Sequence, residues 1–391
     1  MDNKPNIIFT TPVFEYPTVH GPSLRIINLL IAISKIANVT LLLTKNSATK
    51  LREIQNFAKE NNINYVVNFN LILSTLKFTS ILDILNAFLV NKLAKTYSTN
   101  IVWLGYGCMN IGLLKFIKFI YPKLVVICDT DSVQSKYFLR GLPYIKDKSH
   151  YAKFLKLGNS MNKLEKSMVN LADITLAVSE VDQKYYQSIS HHPQKIKLLY
   201  NAIDILKYEK AELANLDYPA VVITGWFGKG SPMEDGATWL IQKIWPKVVS
   251  QIPKAKLYLI GKGATSTMTQ TYPKSAIIVG EVANMVPYLK AADVSVVPLR
   301  YESGTRFKIL ESAASGLAVV STTLGAEGLT LQPGKSILIG NTSLQFAECI
   351  MKLLRNKSLR NKIAINAKAI ISEKYSLKTI TNQAQNIISG L

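Results

Sequence analysis

Histidine, cysteine and acidic residues are scarce in this chain: 4 His, 3 Cys and 25 Asp plus Glu stand against 46 Lys plus Arg in 391 residues. Cys108, Cys128 and Cys349 are odd in number, far apart and in no metal-like spacing. That excludes a disulfide scaffold and suits a reducing compartment with buried thiols. His191-His192 sits in a polar connector with no further ligands beside it. No run of about eighteen uncharged apolar residues occurs, so no spanning helix is expected. The start, MDNKPNIIFTTPVFEYP, lacks an apolar core followed by a small-residue cleavage site, which gives the expectation of a cytoplasmic chain. The shortage of acid leaves a net charge of +21. Nucleic acid, anionic lipid and acidic small substrates all suit it. The lysines are scattered, however, and zinc spacing and aromatic RNA-binding signatures are both missing, which argues against nucleic acid.

What is present is a globular composition, 48% apolar and 18% charged, long enough for two domains. Short apolar runs at 6–11, 38–44, 63–69, 101–106, 124–130 and 174–179 alternate with helical stretches such as SLRIINLLIAISKIA (23–37). A second round follows at 220–226, 255–261, 276–282, 294–299, 318–323 and 336–340. This alternation predicts α/β architecture with parallel sheets covered by helices on both faces. The polar stretch 200–220 reads as an interdomain linker. The expected division is therefore an N-terminal domain 1–206, a second domain 207–374 and a terminal helix 375–391 that packs back on the first. Two such domains bind ligands at the carboxyl ends of their sheets.

ESGTRFKILESAASG (302–316) carries the most chemistry. A buried-type strand, ADVSVVPLR (292–300), runs into a Ser303-Gly304-Thr305 turn, and a helix opens at about Arg306. Unpaired N–H groups in such a turn, with the positive helix end behind them, make an anion site. Arg306 and Lys308 add cations where the helix dipole favours carboxylates, which makes sense for a phosphate-bearing ligand. Glu311 stands about 9 Å beyond Thr305 along the helix. At that remove it suits the two hydroxyls of a ribose. The alternative is an ordinary i,i+3 pair with Lys308.

Other stretches stay open. CDTDS (128–132) puts Asp129 and Asp131 after an apolar strand, either as an Asx turn or helix cap, or as carboxylates for an acceptor hydroxyl or transferred sugar. Two carboxylates alone make a weak metal site. GKGAT (261–265) and GWFGKGS (225–231) fail the P-loop spacing. His20, beside Gly21, is a loop residue or a ligand contact. Residues 69–95 read as a buried helical hairpin or as an interfacial helix that brings the protein to an anionic membrane surface.

GEVANMVPYLKAADVSVVPLRYESGTRFKILESAASGLAVVSTTLGAEGL (280–329) resembles the donor-domain signature of glycosyltransferase family 4. VITGWFGKGSPMEDGATWLI (222–241), HGPSLRIINLLIAIS (20–34) and ADITLAVSEVDQ (172–183) are similar to the family's other landmarks, so the likeness runs over nearly the whole chain. It departs at Ser303, where the first of two family glutamates is expected and Glu302 is one step off. The usual Arg…Lys pair is reduced to Lys229, and Leu317-Ala318 replaces the common x-Pro. Bacterial surface-polysaccharide members use a similar Gly-Thr-Arg segment.

The resemblance implies a GT-B fold, two Rossmann-like domains facing a central cleft. It also implies a retaining, metal-independent hexosyltransferase that needs no cofactor. The donor is a UDP- or GDP-sugar, and the acceptor a glycan, a lipid-linked or a small-molecule hydroxyl. The expected setting is polysaccharide biosynthesis at the inner face of the membrane. Donor contacts fall on Gly21, Gly225, Lys229, Val282, Ser303, Gly304, Thr305, Arg306, Lys308 and Glu311. Arg306, Lys308 and Asp129 are the catalytic candidates, and His20, Arg25 and Asp131 the acceptor-side ones. A sugar-nucleotide epimerase of the same fold, and a non-enzymatic basic nucleic-acid or membrane binder, are the alternatives.

Overall fold

The computed structural model of the protein describes residues 4–18, 21–44, 51–66, 79–268 and 273–391. The chain divides into two compact units, Met1–Ala202 with Leu377–Leu391, and Ile203–Ser376.

In the first unit, strands β1 (Asn6–Thr11), β2 (Asn38–Leu43), β3 (Asn64–Val66), β4 (Ile101–Leu104), β5 (Val125–Asp129), β6 (Ile174–Ala177) and β7 (Ile196–Leu198) form one sheet. Its order is β3-β2-β1-β4-β5-β6-β7, with every pair parallel. β1 and β4 are adjacent although far apart in sequence, so the strand order reverses between them. Such a reversal opens a crevice at the carboxyl ends of the two strands. The central strands are apolar on both faces because helices cover both, and Ile8, Val102, Trp103, Val126 and Ile127 are fully buried. The terminal helix Leu377–Ser389 belongs to this unit: Ile380, Ala384 and Ile388 make its buried stripe, and Thr381 Oγ1 donates to Ala32 O at 3.4 Å.

In the second unit, β8 (Ala220–Thr224), β9 (Lys256–Ile260), β10 (Ala276–Gly280), β11 (Val294–Val297), β12 (Ala318–Ser321) and β13 (Leu338–Ile339) are ordered β10-β9-β8-β11-β12-β13. This sheet is parallel too, with its reversal between β8 and β11.

Three expectations need correction. β7 was missed because three residues at a sheet edge give no pattern. The unit boundary falls within 200–220 as expected, after Ala202, but the rest of the stretch is packed rather than loop-like: Tyr208 and Leu216 are buried, and Ala214 and Leu216 pack against Val222, Tyr258 and Leu289. Its polar residues hide a few apolar anchors, which periodicity cannot find. In 69–95, residues 69–78 lie outside the described residues, and the remainder forms the helix Thr79–Thr96. Ala87, Val90 and Leu93 of that helix join the core while Ile81 and Phe88 are exposed. Among the described residues, no helix is long and apolar enough to cross a membrane.

Candidate active site

In the second unit, strand ends on either side of the reversal bring the signature residues together. β8, β9 and β10 leave the sheet side by side: Gly225 N–H donates to Ile260 O at 3.1 Å, and Gly261 N–H to Gly280 O at 2.7 Å. The backbones cross so closely that a Cβ on Gly261 would lie 1.9 Å from Gly225 O. Only glycine fits there, and its φ of +141° fits glycine as well. β11 ends below the 301–306 turn, where Gly304 takes φ +74° and the helix Phe307–Ala314 begins with Arg306 as its N-cap. Tyr301 OH donates to Gly230 O at 3.0 Å, which ties this turn to the Lys229-bearing loop.

Lys308 reaches back over the β8 exit, its Nζ 3.4 Å from where a Gly225 Cβ would be. Among the described residues its ammonium has neither a hydrogen bond nor an ion pair. The side chain is half-buried but closely surrounded by protein. Burial pulls its pKa down to about 8 against the fields of Glu302 and Glu311, and Arg306 adds repulsion. The i,i+3 pair of Lys308 with Glu311 does not form. Glu311 Oε1 instead accepts from Tyr208 OH at 3.0 Å, a contact from the short helix Ile205–Tyr208. Burial raises the Glu311 pKa, while the Tyr208 bond and the Lys308 charge pull it back.

Two features of this turn differ from expectation. Ser303 N–H does not point free, because Glu302 Oε1 accepts from it at 3.1 Å. Arg306 is 4% exposed and donates from Nη2 to Leu324 O at 3.0 Å, so it braces the turn against the 322–329 loop. That leaves Lys308 as the signature cation that stands over the strand ends. Thr305 and Val282 are half-buried, and Val282 packs beside the Leu216 cluster just beyond Gly280. Lys229 is exposed in its turn. Sequence reasoning missed Tyr208, Tyr301 and the role of Glu302; lone aromatics inside polar loops were the available signal.

The first unit corrects the acceptor-side reading more strongly. Arg25 Nε donates to Asp129 Oδ2 at 3.0 Å, and its Nη2 to Oδ1 at 2.5 Å. Nη1 donates to Asn201 Oδ1 at 2.8 Å, and Nη2 to Leu199 O at 3.3 Å. Both side chains are buried, at 2% and 0% exposure. With its two oxygens held in this way, Asp129 is neither half of a metal pair nor free to meet an acceptor. Arg25 and Asp129 instead clamp the first helix to the ends of β5 and β7. Gly21 opens that helix, Gly21–Ser34, as expected from the glycine loop; His20 lies outside the described residues. Asp131, two residues further on, is half-buried and keeps one side open to the β4–β5 loops. Among the described residues, no three His, Cys, Asp or Glu side chains group as a metal site.

Comparison with known proteins agrees with this layout. Residues 219–356 match the family model described as Glycosyl transferases group 1. Over its whole length the chain superposes on solved structures: Anabaena HepE in complex with UDP, with TM-score 0.69, 16% identity and 99% and 100% of the two chains covered. Sucrose-phosphate synthase from Thermosynechococcus elongatus superposes with TM-score 0.74, 14% identity and 98% of each chain covered. The fold is therefore GT-B, and the second unit carries a glycosyltransferase group 1 domain. A curated relative, an uncharacterized 44.6 kDa protein in the cps region of Klebsiella pneumoniae, is 25% identical over 183 residues. That match spans 44% of this chain and 46% of the relative, less than half its length.

Proposed function

We propose that the protein is a retaining, metal-independent glycosyltransferase of the family 4 type, which transfers a sugar from a UDP-sugar to a hydroxyl acceptor in surface-polysaccharide biosynthesis. The observation that carries this reading is Lys308, a cation with no counter-ion among the described residues, beside Gly225 at the reversal of a group 1 domain. A diphosphate is the natural partner for such a charge. The negative charge that grows on the leaving diphosphate is stabilised by a fixed cation without reorganisation at the moment of reaction. Glu311 takes the ribose hydroxyls, held by Tyr208. UDP is preferred over GDP because HepE has been solved with UDP and with UDP-glucose. The relative in a cps region supports the polysaccharide setting. Exposed Phe88 and Phe119, in a chain of net charge +21, fit peripheral attachment to an anionic membrane face.

The test is a calorimetric titration with UDP and GDP, followed by incubation with a panel of UDP-sugars and mass spectrometry of the products, with and without EDTA. Tight UDP binding and EDTA-resistant transfer are expected. Loss of turnover in EDTA that manganese restores overturns the metal-free mechanism. Epimer formation without transfer assigns the protein to the epimerase alternative.

A further inference from the structure

In the second unit, the chain leaving β11 lies along the helix Pro232–Trp239 and the loop before it, and three contacts make a seam between them. Gly236 packs so closely that a Cβ there would lie 2.7 Å from the Pro298 carbonyl oxygen. Arg300 Nε donates to Asp235 Oδ2 at 2.8 Å, and Arg300 Nη2 donates to Oδ1 of the same carboxylate. Tyr301 OH donates to Gly230 O at 3.0 Å. From the other side, Thr322 Oγ1 donates to Leu299 O at 2.5 Å. The exit is thus gripped at four successive residues, 298 to 301, just before the turn that leads to Lys308.

What the seam joins are two cation-bearing segments. Lys229 immediately precedes Gly230 on the loop that leaves β8, and Lys308 stands in the first turn of the helix that follows the 301–306 turn. Of the three contacts, the Arg300–Asp235 fork is the one that fixes direction as well as distance. Its two parallel bonds hold guanidinium and carboxylate in a common plane, which a single bond or a packing contact does not. Arg300 is itself seated over the Trp239 ring, its guanidinium carbon 5.7 Å from the centroid. Trp239 in turn meets Phe346 edge-on at 5.8 Å. Directly after Trp239 the helix widens into a π-turn, Leu240–Ile244, a departure found mostly at functional sites.

Stability does not account for this construction. The Arg300 side chain is 33% exposed and that of Asp235 19%, and ion pairs so open to water contribute little to folding. Placement does account for it, because a displacement of about 1 Å is enough to uncouple groups that must engage one ligand together. We infer that Arg300 is a positioning residue: its fork on Asp235 sets the spacing between the Lys229 loop and the Lys308 helix at which both cations engage one diphosphate. That the ligand is a diphosphate rests on the transferase reading; that the fork fixes the two segments against each other does not.

Hydrogen-exchange mass spectrometry on the full chain, with UDP binding measured by calorimetry and uridine binding by ligand-observed NMR, tests the inference. Arg300→Lys keeps the charge and loses the fork, and Asp235→Asn keeps the shape and loses the charge. Both variants should melt close to wild type. The amides of 226–231 and 302–306 should exchange faster in both, with the rest of the second unit unchanged. UDP should bind roughly tenfold more weakly, the scale of a lost bond to a charged group. Uridine, which carries no phosphate, should bind as it does to wild type. The double variant should be no worse than either single one, because all three lack the same interaction. A pair that only stabilises the fold would weaken UDP and uridine together or loosen the whole unit, and either result overturns the inference. Unchanged exchange in the two segments overturns it too, as does faster exchange with undiminished UDP affinity. A wild type that binds no UDP sinks the transferase reading, and joint loosening of the two segments in the variants then still upholds the positioning.

Discussion

Replacing Lys308 with methionine keeps the unbranched shape of the side chain, one atom shorter, and removes its charge. In the free protein burial holds this ammonium at about 8, where Glu302 and Glu311 resist the shift and Arg306 promotes it. A diphosphate binds the charged form, so the affinity of wild type for UDP is full below about pH 7 and is lost as pH rises through 8. By pH 9 the loss should be about tenfold, or 1.4 kcal/mol per pH unit. Lys308→Met should weaken UDP at neutral pH by on the order of 1.5–3 kcal/mol, the range for bonds to charged groups. The variant lacks the lysine-linked slope, and wild type should approach it at high pH. Isothermal titration of both proteins at about pH 7 and about pH 9 measures this. The uracil imide also titrates in the upper range, equally in both, so the difference between the two proteins is the quantity to read. A depressed lysine pKa lowers folded stability below about 8, so the variant should melt higher than wild type at neutral pH. A loss of UDP binding then cannot be ascribed to unfolding. Parallel pH curves, or undiminished UDP affinity in Lys308→Met, would refute the placement of the diphosphate on this cation.

Arg25→Ala should cost about 3–5 kcal/mol in urea unfolding, because it leaves the Asp129 carboxylate buried without its partner. Arg25→Met combined with Asp129→Leu should recover much of that; a double variant as unstable as the two single losses added would contradict the clamp. Asp131 is raised, so its stabilising contribution is complete below about 4 and gone above about 6. Asp131→Asn should therefore gain up to about 3 kcal/mol at pH 7.5, closer to 1–2 after allowance for its half-open position, and nothing near pH 4. Equal thermal-melt gains at both pH values would dismiss that sign. Tyr208→Phe should weaken UDP several-fold and leave 2′-deoxy-UDP nearly unchanged, read by titration calorimetry. Equal losses for both nucleotides would detach Tyr208 from the ribose.

Runs such as AVVITGW and LVVICDT announced their strands because a strand buried on both faces has to be apolar over successive residues. The expected first strand, 6–11, and the helix opening at Arg306 match the structure, since periodicity and turn chemistry are written within a few neighbouring positions. Gly304 was visible as a turn residue for the same reason.

Which side chain meets which was not visible. Asp129 looked like an open carboxylate until Arg25, 104 positions away, was found to hold both of its oxygens. Glu311 looked like a partner for Lys308, three residues off, until Tyr208, 103 positions away, took its place. The linker reading of 200–220 found the boundary, which falls after Ala202, but not the packing that follows it, because Tyr208 and Leu216 anchor a polar stretch that has no period of its own. Asp131 and Tyr106 share a hollow only because β4 and β5 are neighbours in a parallel sheet. Local pattern records how each segment satisfies its own backbone. In parallel sheets every strand returns through a crossover, so the groups that meet at the carboxyl ends come from loops many tens of residues apart, and only the folded sheet selects among them.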